Sequence, residues 1–123
     1  MTPQRPYLLR AIYEWIVDNG EVPYILVDPF IDEVLVPSSA ISNDKVVLNI
    51  SPVAVQALDL GLEAVVFSCR FSGVEHDVYL PIKSVLSIYS KESGRGLEFD
   101  DSEYSVGDPE PGEEKAKPKL ELV

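Results

Sequence analysis

His76 is the one histidine and Cys69 the one cysteine of the 123-residue chain, so any imidazole or thiol chemistry must run through these two side chains. A catalytic triad would need a carboxylate to orient His76, yet Glu75 and Asp77, its immediate neighbours, project from the opposite face of an extended strand. Cys69 falls on the inward parity of an apolar run, Val65, Phe67, Cys69 and Phe71. A thiol there is a small hydrophobe, whereas a nucleophile requires an accessible, electropositive setting. A lone cysteine also excludes an intramolecular disulfide and a four-cysteine zinc centre. Gly94-Arg-Gly96 lacks the lysine and following helix of a phosphate loop. No cofactor, no metal and no catalytic residue are expected, and the chain is expected not to be an enzyme.

Binding chemistry is better supported. The segment Ser51-Pro-Val-Ala-Val55 is apolar for a surface connection, and the outward parity of the run at 63–71 carries Val66, Ser68 and Arg70. Brought together, they form an apolar groove with a single cation, which suits an extended peptide bearing apolar and acidic side chains. The other reading of Arg70 is an ion pair with a neighbouring carboxylate.

These residues must be positioned by a mainly β chain with one N-terminal helix. Pro6 suits a first helical turn and Gly20 a left-handed C-terminal cap, which predicts a helix over 6–19. Trp15, Leu8, Ile12, Ile16, Leu9, Tyr13 and Val17 spread across roughly 200° of that helix, about twice the arc that one core contact needs. One face can therefore pack on the domain while another meets a second copy. A homodimer is expected, with Leu8, Leu9, Ile12, Tyr13 and Ile16 at its interface; alternatively, the aromatic residues at the edge of the arc are simply half exposed. Short β-branched runs at 24–28, 33–36, 45–50, 63–71, 74–80 and 85–90 predict strands. Ser72-Gly73 predicts a tight hairpin, and 52–57 a turn or short helical segment. An antiparallel barrel or curled sheet follows.

Charge divides the chain further. Net charge is −11; residues 1–97 hold 12 acids and 7 bases, and residues 98–123 hold 9 acids and 3 bases. Such a field disfavours nucleic acid and anionic membranes as partners. Residues 1–100 read as one folded domain and 101–116 as a disordered acidic linker whose composition cannot offset the entropy of ordering. At 117–123, Leu120, Leu122 and Val123 place apolar side chains where a solvated tail should have none. They read either as a tolerated chain end or as a short docking peptide. With no secretory signal pattern and no run of about 18 apolar residues, a cytoplasmic location is expected.

Several segments, in order, resemble one family. They are Arg5-Pro-Tyr-Leu-Leu-Arg-Ala-Ile-Tyr-Glu-Trp-Ile-Val-Asp-Asn19 with Val22-Pro23 and Val27-Asp28, then Val46-Val-Leu-Asn-Ile-Ser-Pro52, then Phe67-Ser-Cys-Arg-Phe71 with Gly73. Leu86-Ser-Ile-Tyr-Ser-Lys-Glu-Ser-Gly-Arg-Gly96 followed by Phe99 completes the set. Together they resemble the stringent starvation protein B family over about residues 3–100. The resemblance implies an Sm-like β-barrel, a dimerising N-terminal helix, and capture of the ssrA tag of stalled-translation products for the ClpXP protease. By position it implies a tag groove at Asn49, Ile50, Ser51, Pro52, Ala54 and Val55 and at Phe67, Ser68, Cys69, Arg70 and Phe71. It further implies a ClpX-docking peptide at Pro118, Leu120, Leu122 and Val123. Ser68 and Cys69 stand where relatives commonly carry Asn and Ala. Two other classes share much of this pattern: an RNA-binding Sm-like protein, against which the acidic domain weighs, and a dimeric scaffold without a peptide groove.

Overall fold

A computed structural model describes residues 3–99. In chain order these form helix α1 (Arg5–Asp18) and strands β1 (Pro23–Val27), β2 (Val46–Asn49), β3 (Val55–Leu60), β4 (Ala64–Phe71), β5 (Val74–Pro81), β6 (Val85–Ser90) and β7 (Gly96–Glu98). Single 3-10 turns lie at Ser38–Ala40 and Ile82–Ser84. The expected acidic linker at 101–116 and docking segment at 117–123 lie outside the described residues.

The helix ends as its sequence predicts. Gly20 takes φ +74°, its N–H donates to the Val17 carbonyl at 2.9 Å, and the Glu21 N–H donates to the Ile16 carbonyl at 3.1 Å. These two bonds and the left-handed glycine satisfy carbonyls that the last turn would otherwise leave open. At the other end Arg5 is fully buried. Its Nη1 donates to the carbonyls of Lys83 at 3.2 Å and Val85 at 3.0 Å, and its guanidinium lies over the Phe99 ring at 5.2 Å. A buried cation is tolerated because carbonyl and ring partners surround it, and the contact anchors the start of α1 to β6.

The strands are antiparallel and form two sheets, ordered β2-β1-β6-β7 and β3-β4-β5. The chain is thus mainly β with one N-terminal helix, as expected, but its sheets do not close into a single hydrogen-bonded barrel. At one junction the chain turns instead of pairing: the N–H groups of Ala54 and Val55 both donate to the Ser51 carbonyl, and Pro52 has no N–H to give. Both sheets and the helix contribute to one core, with Leu9 and Ile16 from α1, Ile25, Val27, Val46, Leu48 and Ile88 from the larger sheet, and Val65, Phe67, Val78 and Leu80 from the smaller.

Three expectations at element level are corrected. Residues 33–36 form no named strand, only an isolated bridge between Leu35 and Tyr79, and Glu33 at φ +75° interrupts an extended run. The turn or helical segment expected at 52–57 ends at Ala54, because Val55 already begins β3. The short strand β7 was absent from the expected set. It pairs with β6 at such close approach that a Cβ on Gly96 would collide with the Ile88 carbonyl, so glycine is required there.

Candidate functional site

The Ser72-Gly73 hairpin sets the register of the site. Ser72 and Gly73 have φ +54° and +81°, as a two-residue turn between right-twisted strands demands. Phe71 then faces Val74, Arg70 faces Glu75, Cys69 faces His76 and Ser68 faces Asp77. On the other side of β4, Val55 faces Cys69 and Gln56 faces Ser68. Ala57 then adopts φ +56° within an irregularity of β3. Because β3 is the edge of its sheet, this bulge and the Ser51-Pro52 turn before it leave an open flank.

A groove of about 380 Å³ runs along that flank, lined by the turn from Pro52 through Gln56, by Ser68, Cys69 and Arg70, and by Glu75. Its volume lies in the range of ligand clefts. Asn49 holds the turn: its Oδ1 accepts the Ser51 N–H at 2.9 Å, a local side-chain bond of the kind that stabilises turns. Val53, at the tip, is 96% exposed, which is costly for a valine that nothing covers. On the opposite wall the Ser68 hydroxyl donates to Asp77 Oδ1 at 2.8 Å, leaving its oxygen lone pairs able to accept.

Among the described residues Arg70 is the only cation of the lining. Its Nη1 donates to the Gly73 carbonyl at 3.3 Å, and among the described residues it forms no ion pair, although Glu75 lies opposite in register. The ion-pair reading of Arg70 therefore fails among these residues, and guanidinium donors remain for a ligand carboxylate.

Not every expected groove residue reaches the groove. Pro52, Ala54, Val55, Ser68, Cys69 and Arg70 line it. Ile50 and Phe67 are core residues, Ser51 is buried with its Oγ unpartnered among the described residues, and Asn49 supports the turn from outside. Phe71 is half-buried and does not line the groove. Cys69 is likewise half-buried, so the inward parity that holds for Val65 and Phe67 weakens as β4 runs beyond the core. Val53, expected as part of the apolar segment, also lines the groove, whereas Gln56 and Glu75 were missing from the expected lining. Glu75 was legible in the sequence, since a two-residue turn at Ser72-Gly73 places it opposite Arg70; Gln56 was not, because the turn or helical segment expected at 52–57 covers the first residues of β3.

Burial pushes the Cys69 thiol up from its ordinary value, the reverse of what an attacking thiolate needs. His76 is its cross-strand neighbour, and among the described residues no carboxylate accepts a hydrogen bond from the imidazole. Among the described residues no cluster of three or more metal-ligating side chains occurs, and no helix is long and apolar enough to cross a membrane.

The helix residues expected at a dimer interface also separate. Leu9 and Ile16 are buried in the chain's own core, so they are not on an outer face, and Ile12 and Tyr13 are half-buried against that core. Burial raises the Tyr13 phenol above its ordinary value. Leu8 is exposed, together with Tyr7 and Trp15, which the expected set omitted.

A small mainly β domain carrying an open groove at a sheet edge, with exposed apolar residues and one available cation, has the build of a recognition module. The family model described as stringent starvation protein B matches residues 3–121, and the chain belongs to that family. A protein described as a stringent starvation protein B homolog from Haemophilus influenzae is 40% identical over 123 residues, an alignment covering 99% of this chain and 82% of that protein.

Proposed function

We propose that the protein is a proteolytic adaptor that captures the ssrA tag of stalled-translation products in the groove beside Arg70 and delivers tagged chains to the ClpXP protease. The observation that carries this reading is the pairing of an exposed apolar turn, Pro52-Val-Ala54, with a guanidinium that has no carboxylate partner among the described residues. An extended peptide would cover the apolar turn and direct an acidic side chain to Arg70, while Ser68 offers a hydrogen-bond acceptor. Residues 117–123, with Pro118, Leu120, Leu122 and Val123, supply the attachment to ClpX, and residues 101–116 the tether. The adaptor works as a homodimer in the cytoplasm, associating through the outer side of α1 around Tyr7, Leu8 and Trp15.

Titration of a labelled ssrA-tag peptide and, separately, a labelled RNA oligomer tests the central step. Saturable binding of the peptide with none of the RNA is the expected result. RNA binding alone would replace the adaptor reading with a nucleic-acid one, and binding of neither would leave a scaffold.

A further inference from the structure

Beyond Phe99 the chain continues Asp100-Asp-Ser-Glu-Tyr-Ser-Val-Gly-Asp-Pro-Glu110, which holds five acids, no base, and Tyr104 and Val106 as its large apolar residues. That is the same chemistry the groove is built to meet. We propose that residues 104–110 of this chain occupy the groove when no other peptide is bound, with Tyr104 and Val106 toward the apolar turn at 52–54 and Asp108 or Glu110 at Arg70. The tail is then a built-in competitor that a tag must displace. This inference rests on the groove being the peptide site.

Charge and length support this occupant. The domain of residues 3–99 carries 13 acids against 7 bases, so an acidic segment is repelled from most of its surface. Among the described residues the Arg70 guanidinium has no carboxylate partner, its Nη1 bonding only the Gly73 carbonyl, and it borders exposed apolar surface, so an acid placed there replaces water on both. Phe99 lies against Arg5, whose Nη1 reaches the carbonyls of Lys83 and Val85, just past the Pro81 end of β5. Pro81 pairs with Ala64, and Arg70 stands six residues further along β4, roughly 20 Å away. Val106, seven residues beyond Phe99, reaches about 24 Å and Glu110 about 37 Å when extended. The backbone from Val106 onward is therefore long enough to lie in the groove of its own domain, and Tyr104, whose Cα reaches about 17 Å, meets it only through the length of its side chain.

Occupancy need not be strong. A tethered segment at an effective concentration of about 1 mM, with an untethered Kd of about 0.5 mM, raises the apparent Kd of a competing peptide about threefold. The test compares the full chain with a full-length variant carrying Tyr104→Ser, Val106→Ser, Asp108→Asn and Glu110→Gln. Two measurements are made: affinity for a fluorescent ssrA-tag peptide, and amide chemical shifts of unliganded protein at residues 53–56 and 68–70. The variant should bind the tag about threefold more tightly, and its shift changes should cluster at those groove amides. Unchanged groove shifts, or changes confined to the separate cleft of Trp15, Asn19 and Arg95, would overturn the proposal whatever the affinities. Groove shifts with no tag binding by either protein would uphold tail occupancy and sink the tag reading instead. Groove shifts with equal tag affinity would show that the segment does not compete, and would also overturn the proposal.

Discussion

In the proposed function Arg70 concentrates the recognition chemistry of the groove in one side chain. Its neighbours on the lining are apolar, neutral or, in Glu75, of opposite sign, so reversing its charge leaves two acids facing each other across the β4–β5 register. For Arg70→Glu, tag-peptide affinity should fall by roughly tenfold or more, the range expected for losing a charge-assisted hydrogen bond of about 1–3 kcal/mol. The salt dependence of binding should weaken as well. Fluorescence anisotropy of the folded variant at two ionic strengths checks both, and an unchanged Kd would place the peptide elsewhere. Much of this site was legible at the residue scale: alternation set Ser68 and Arg70 outward, and the Ser51-Pro52 pair marked the turn. Alternation could not show that Cys69 would line the groove, because parity assigns a face but not how far the core extends beneath it. Ile50 and Phe67 were placed in the groove by family position alone, whereas their burial assigns them to the core.

Elements differ in how much non-local information they need. Helix α1 was legible because its stop signal is local, and the hairpin because Ser72-Gly73 fixes its register. Strand β3 was not, since Ala57 in the left-handed region breaks the two-residue period of its side chains. Strand β7 is three residues long and depends on its partner β6. The turn between them is held by Glu92, whose Oε1 accepts the Val22 N–H at 3.0 Å, while Ser90 Oγ accepts the N–H groups of Glu92 and Ser93 at 3.1 Å. The Val22 backbone bond, chiefly, holds the Glu92 carboxyl below its ordinary value of 4.5. A depressed carboxyl stabilises the fold above that ordinary value and loses its contribution as pH falls through the folded one. Glu92→Gln should therefore flatten the acid limb of stability against pH below about 4.5, read from urea midpoints at a series of pH values. The helix yields a different test. Leu9→Ala should cost roughly 2–5 kcal/mol of monomer stability through a core cavity, independent of association. Leu8→Glu or Trp15→Glu alters an exposed position and should spare the core while shifting sedimentation toward monomer. An unchanged dimer in both, or a monomeric parent chain, would remove the helix interface.

At the scale of the whole molecule, the proposed function assigns capture and delivery to different parts of the chain, so the two should come apart. The groove lies within residues 3–99, and the proposed docking peptide at 117–123 lies beyond them. The composition of residues 101–116 predicts a coil, and 16 residues of coil span roughly 20–25 Å root-mean-square. A tether of that length would present a captured chain near the proposed second attachment at about millimolar effective concentration, so weak docking would suffice. A dimer would supply two such tails, and the free end of the tag a third contact. The apolar side chains should dominate this attachment, because the acids and prolines between them and the domain only set the reach. Leu120→Asp combined with Leu122→Asp is therefore expected to leave tag affinity within about twofold, since neither residue belongs to the domain that forms the groove or to the segment proposed to compete for it. The same double variant should abolish most acceleration of degradation of a tagged reporter by ClpXP at substrate concentrations below saturation. Reordering the residues of 111–116 should change neither measurement appreciably, since it preserves both length and charge. If the double variant still accelerates degradation as well as the parent chain, delivery does not run through Leu120 and Leu122, and the groove alone must account for any adaptor activity.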